Sequence, residues 1–260
     1  MEHHRWKLLW WIVPIALIGI AWNLWQQQQT PQTISTPRDF NQTSDCEHLQ
    51  PWTVQPGRYF VCRQTYALNM NPETKMADYV AYCIDRNSIT GSSEQDRRWE
   101  PDPDLPENVQ LEPNDYEGVG KLGYDRGHQA PLASFRGENW QETNYTSNIT
   151  PQKAELNRGV WLQLEKHERK LVQQYGSICT ITGPYYDDMA MFPLAKADEK
   201  HKIPNGYWKI ISYNGKTEGY LYGQDTPRGV PFEGGRTCVF EIERYAKFDI
   251  STVEDSEYCS

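Results

Sequence analysis

The most reactive-looking stretch of the chain is Tyr124-Asp125-Arg126-Gly127-His128-Gln129-Ala130-Pro131, where an acid, a guanidinium and an imidazole crowd around one glycine. An imidazole of ordinary pKa, near 6.5, takes a proton from water at neutral pH. A neighbouring arginine can grip two phosphate oxygens in a fork that lysine cannot match. His128 and Arg126 therefore suggest chemistry on a phosphate, with Asp125 orienting the segment. Considered in isolation, the same four-residue string also describes a surface turn with a solvated ion pair, so it needs a partner elsewhere in the chain.

That partner lies in PQKAELNRGVWLQLEKHERKLVQQYG, residues 151–176. Leu156, Val160, Leu164 and Leu171 recur at spacings of three, four or seven, and Gly176 offers a stop, which predicts an amphipathic helix. Asn157, Trp161 and Glu165 follow one another at intervals of four and so are expected on one helical face. A hard cation such as Mg²⁺ takes oxygen ligands and keeps several waters. Asn157 offers one such oxygen, and Glu165 could orient the waters without ligating. Each has a plain alternative: a capping or surface amide for Asn157, an exposed helix charge for Glu165.

The elements around these residues read as strands. Tyr79 to Ile84 mixes β-branched and aromatic residues between polar boundaries, and ICTITGPYY from Ile178 reads likewise. Asn214-Gly215 sits between GYWKIISY and EGYLYG, predicting an antiparallel hairpin over residues 206–223, because both turn residues tolerate positive φ. Strands before and after a long helix, without βαβ alternation, indicate an α+β domain on an antiparallel sheet.

DRGHQAPLASF, NYTSNITPQKAELNRGVWLQLEKHERKL and TGPYY together resemble the secreted sugar-non-specific DNA/RNA endonucleases of the ββα-metal class. The similarity runs from about Tyr66 to at least Gly223 and continues more weakly toward the C-terminus. It implies a ββα-metal domain with a central antiparallel sheet and flanking helices. It also implies His128 as general base, Asn157 as the sole protein ligand of one Mg²⁺ (Mn²⁺ substituting), and Glu165 as water-orienting glutamate. An upstream RxW arginine is expected to stabilise the transition state; Arg97-Arg98-Trp99 supplies it as Arg97, with Arg98 as the alternative. Arg126, Asp125 and Asn148 match further residues of the pattern, and Asn144 is a neighbouring candidate for orienting the imidazole. The expected reaction is hydrolysis of DNA and RNA without strong sequence preference, leaving 5′ phosphates.

The rest of the chain bounds where such a domain works. Residues 1–7 form a basic flank and residues 8–25, LLWWIVPIALIGIAWNLW, an apolar run. At helical rise the run is about 27 Å long, close to a hydrocarbon core. It reads as a membrane anchor with the domain outside, or as a cleaved secretion signal. Residues 26–45 are rich in Gln, Thr and Ser and read as a flexible linker to the domain at 46–260.

All six cysteines, at 46, 62, 83, 179, 238 and 259, follow the apolar run, and none forms a zinc-ligand pattern. Disulfides are expected: Cys46 with Cys62 to close the domain's entry, Cys238 with Cys259 to tie the tail, and Cys83 with Cys179 if their strands are neighbours. His167 and His201 are read as a solvated helix residue and a turn residue. The net charge of −9 excludes a general electrostatic grip on nucleic acid and confines contact to a local site. No GxSxG elbow, HExxH pair or phosphate-binding glycine loop is present. Two other functions remain open on the sequence alone: a surface nucleic-acid receptor with a degenerate site, and a phosphodiesterase of small nucleotides. The sequence leaves oligomeric state open.

Overall fold

The computed structural model describes Cys46 and residues 56–91, 97–137, 139–187, 191 and 193–250. The apolar run and linker lie outside the described residues, as does Cys259 with its expected link to Cys238. Among the described residues no helix is long and apolar enough to cross a membrane.

Seven strands form one antiparallel sheet: β1 (Tyr59–Cys62), β2 (Ala67–Asn71), β3 (Met76–Asp85), β6 (Ser177–Tyr185), β7 (Gly206–Tyr213), β8 (Lys216–Gly223) and β9 (Arg236–Thr237), in that spatial order. Two further strands, β4 (Tyr124–His128) and β5 (Ile149–Lys153), make a separate two-stranded antiparallel unit. The α+β expectation holds.

Helix α1 (Leu162–Tyr175) packs on one face of the large sheet and helix α2 (Val239–Ala246) on the other. Both faces are therefore buried, and the period of two along each strand divides its residues between two cores. Val80, Tyr82 and Ile84 of β3 meet Leu164, Leu171 and Val172 of α1, whereas Tyr79 and Ala81 join Val239 and Ile242 of α2. A third cluster, with Leu111, Tyr116, Val119, Tyr124 and Ile149, seats the β4–β5 unit against the sheet end at Met76.

The Asn214-Gly215 hairpin forms as expected, with φ of 46° and 70° at its two turn residues. Cys83 and Cys179 are direct cross-strand partners on β3 and β6 and are disulfide-bonded; Cys46 and Cys62 form the other bond among the described residues.

The helix over 151–176 is corrected at its start. Pro151 to Lys153 belong to β5; a single helical turn (Ala154–Leu156) and a π-helical turn (Asn157–Trp161) follow before α1 begins. Gly159 breaks the helix, with φ −102° and ψ −113°. A β-carbon there would stand 2.7 Å from Cα of Arg228, so the break coincides with a close approach that only glycine allows. Gly176 stops α1 at φ 97°, as its residue type suggested.

Candidate active site

Strand β4 carries Asp125, Arg126 and His128, and its pairing with β5 sets Asp125 opposite Gln152 and His128 opposite Ile149. The glycine between them is required by this pairing: a β-carbon on Gly127 would lie 2.6 Å from Cβ of Gln152. From β5 the chain turns directly into the π-helical turn, which brings Asn157 back beside β4. Its Nδ2 donates to Oδ2 of Asp125 at 3.0 Å. The two strands and α1 thus form a ββα unit around one cleft of about 590 Å³.

Arg97, Asp125, Arg126, His128, Asn157 and Glu165 all line that cleft. Arg98 does not, so the cleft takes the first arginine of the RxW string. The equal spacing of Asn157, Trp161 and Glu165 does not translate into one face: Trp161 turns fully into the core while Asn157 and Glu165 line the cleft, and Gly159 breaks the helix between Asn157 and Trp161. Asn148 is buried beneath the cleft rather than lining it. Its Oδ1 accepts from the Ala130 amide at 2.8 Å, and its Nδ2 donates to the carbonyls of Ala130 and Thr143 at 3.0 and 2.9 Å. It therefore fixes the backbone just after His128.

His128 is half-buried, its ring 5.3 Å from that of Trp99 and its Nε2 3.3 Å from Oδ1 of the buried Asn144. Burial, reinforced by the Arg97 guanidinium, pushes the imidazole pKa down to about 3. The ring is neutral at physiological pH. With Asn144 accepting from Nε2–H, Nδ1 is left as the ring's acceptor.

Trp99 organises the cations as well. Arg97 stacks over its ring at 4.5 Å and Arg126 at 5.4 Å, while Arg126 also donates to the Pro113 carbonyl at 3.2 Å. Burial and the neighbouring Arg126 lower the pKa of Arg97. Burial, with the Glu168 carboxylate close by, pushes Glu165 up to about 7 despite the opposing pull of Lys209. Two arginines held near each other suit a ligand carrying more than one negative oxygen.

Several contributors were not legible in the sequence. Arg158 donates through Nε and Nη2 to the two oxygens of Asp125, at 2.8 and 2.5 Å. Nothing in its local sequence, between Asn157 and Gly159, marks it for a partner 33 residues away. Behind Glu165, fully buried Lys209 reaches both oxygens of Glu168 at 3.1 Å and lies 4.9 Å from the ring of Trp161. His167 is corrected from a solvated residue: its Nε2 lies 2.7 Å from Oε2 of Glu218 and its ring 4.9 Å from Phe232. His201 does serve a turn, accepting from the Leu194 amide at 2.9 Å.

Comparison with known proteins identifies the family. The family model described as DNA/RNA non-specific endonuclease matches residues 49–255. A nuclease of Serratia marcescens is 43% identical over 194 residues, covering 71% of each chain. A nuclease of Nostoc sp. is 32% identical over 164 residues, 62% of this chain and 57% of its own. Human mitochondrial endonuclease G is 32% identical over 157 residues, 58% of this chain and 48% of its own. Among solved structures, a chain of the EndoG/EndoGI complex superposes with a TM-score of 0.66 at 22% identity, covering 77% of this chain and 87% of that one; this likeness concerns the fold. A family match over residues 49–255, with 43% identity to a relative over 71% of each chain, makes this chain a member of the DNA/RNA non-specific endonuclease family and a hydrolytic endonuclease.

Proposed function

We propose that the chain cleaves both DNA and RNA without strong sequence preference, using His128 as general base and one Mg²⁺, replaceable by Mn²⁺, held through Asn157. The observation that carries this reading is the convergence of His128, from β4, with Asn157 and Glu165, from the π-helical turn and α1, on one cleft. The donor set fits a hard cation. Asn157 spends its Nδ2 on Asp125, which leaves its Oδ1 without a donor among the described residues, and Glu165 lines the same cleft. When bound, Mg²⁺ supplies positive charge to the phosphate and to the leaving oxygen.

The protein groups do the rest. His128 accepts a proton from the attacking water at Nδ1, and Asn144 holds the ring in the tautomer that can do so. Arg97 and Arg126, stacked on Trp99, stabilise the charge that grows on the phosphoryl oxygens. Glu165 orients water around the cation, Asp125 steadies the Asn157 amide, and Asn148 fixes the backbone beyond His128. Departure of the 3′ oxygen, which takes up a proton from water to become a hydroxyl, leaves a 5′ phosphate. Contacts of this kind address the backbone and not base edges, which accounts for indifference to sequence and sugar.

Two disulfides support a site of action outside the cytoplasm. The apolar segment 8–25 would place the domain there as a membrane anchor or as a cleaved signal.

The test is a gel assay of the full chain on supercoiled plasmid and on RNA, with Mg²⁺, with EDTA, and with His128→Ala and Asn157→Ala. Metal-dependent loss of both polymers, abolished in the His128 variant, is the expected result. Tight binding without cleavage would turn the reading to a receptor, and preference for a dinucleotide analogue over polymer to a small-nucleotide phosphodiesterase.

A further inference from the structure

Asp125 sits where a second cation ligand would be expected. Its Oδ2 accepts from the side-chain amide of Asn157, which also lines the cleft, at 3.0 Å from Nδ2. A carboxylate is a stronger ligand for a hard cation than a neutral amide, and affinity rises with the number of charged ligands. Both Asp125 oxygens are nevertheless engaged. Arg158 donates to Oδ2 from Nε at 2.8 Å and to Oδ1 from Nη2 at 2.5 Å, in the two-pronged geometry that favours arginine over lysine. The pair is asymmetric: the Asp125 side chain is 16% exposed, the Arg158 side chain 60%. Arg158 therefore closes over Asp125 from the solvent side, on the wall of the cleft. The neighbouring cation, Arg228, is tied to Glu155 at 3.0 Å.

We infer that Arg158 is a positioning residue that holds Asp125 out of direct contact with the cation, keeping Asn157 the single protein ligand and the ion weakly bound. The inference rests on the proposed cation site at Asn157. Its physical basis is twofold: the guanidinium takes one lone pair on each Asp125 oxygen and fixes the carboxylate's orientation, and its charge opposes a second positive charge nearby. An ion held by one neutral oxygen keeps most of its waters, and those waters are what Glu165 is placed to orient. Without Arg158, Asp125 would move from second neighbour to ligand and the site would trade exchangeable water for affinity.

The experiment measures Mn²⁺ binding to the full chain by electron paramagnetic resonance of the free ion, without nucleic acid. The proteins compared are wild type, Arg158→Gln, Arg158→Lys, Asp125→Asn, the Asp125→Asn/Arg158→Gln double variant and Asn157→Ala. Arg158→Gln is expected to bind Mn²⁺ at least about ten-fold more tightly, because a full carboxylate charge is released beside the ion. Arg158→Lys, which keeps the charge but not the fork, should fall between. The gain should vanish in the double variant, because it runs through Asp125. Unchanged or weaker binding in Arg158→Gln, with binding lost in Asn157→Ala, overturns the inference alone. Wild-type affinity in Asn157→Ala overturns the cation site itself and the inference with it.

Discussion

Nε2 of His128 lies 3.3 Å from Oδ1 of Asn144, a buried amide on a 3₁₀ turn (Trp140–Asn144) that belongs to neither strand of the ββα unit. The imidazole is thus oriented by a residue outside the motif that carries it. If this contact sets the tautomer, Asn144→Ala should lower kcat by about ten- to a hundred-fold with little change in KM, and His128→Ala by about 10²–10⁴-fold. Steady-state rates on plasmid, alongside unchanged circular dichroism, provide the check. An Asn144 variant with full kcat would remove the residue from the mechanism.

The low pKa of His128 also links the site to stability. In the unfolded chain a histidine takes up its proton near pH 6.5, whereas the folded protein, through burial and then Arg97, withholds it to about pH 3. Between those values the unfolded state binds more protons, so folding stability should fall as pH falls through the window. One proton contributes at most about 1.4 kcal/mol per pH unit, less here because the ring is partly open to water. Urea denaturation at pH 7, 6 and 5 should show His128→Asn losing less stability than wild type. Parallel losses in the two proteins would contradict the linkage.

The parts of the fold that were legible are those where local chemistry and tertiary structure agree. Asn214-Gly215 specifies its own turn, and Cys83 and Cys179 lie in segments whose β-branched pattern made them strands. The β4–β5 pair was not read as strands, because YDRGH and ITPQK contain glycine, proline and charge, all poor local strand signals. Tertiary contacts hold it instead: Tyr116 and Gln224 donate to the carbonyls of Ile149 and Pro151 at 3.0 and 2.8 Å. The cleft residues stood out only in combination, since His128, Asn157 and Glu165 each have a plain alternative when taken singly and gain their roles from the joint pattern and the family resemblance. Their supports did not: Arg158 and Lys209 look like any surface cation until partners 33 and 41 residues away arrive.

The disulfides offer a comparison within one molecule. Cys83–Cys179 spans 96 residues and Cys46–Cys62 spans 16. In the chain-entropy account the longer loop contributes more, about 4–5 against about 3 kcal/mol. Cys83→Ala/Cys179→Ala should therefore lower the urea midpoint further than Cys46→Ala/Cys62→Ala. The reverse order would show that local packing, not loop closure, dominates at these bonds.

Beneath the cleft, Lys209 and Glu168 form an ion pair in which both side chains are completely buried. Glu168 is further satisfied by Tyr82 and Thr180, each donating at 2.8 Å. Removing only the cation strands a carboxylate in the core, so Lys209→Met should cost about 3–5 kcal/mol. Replacing both partners, as Lys209→Met/Glu168→Leu, removes the stranded charge and should recover much of that loss. The pair also bears on function, because Lys209 lies against Trp161 at the start of α1, the helix that carries Glu165. Hence the single variant should lose turnover as well as stability, and the double variant should regain stability first. A single variant as stable as wild type would mean that water or a proton replaces the missing charge.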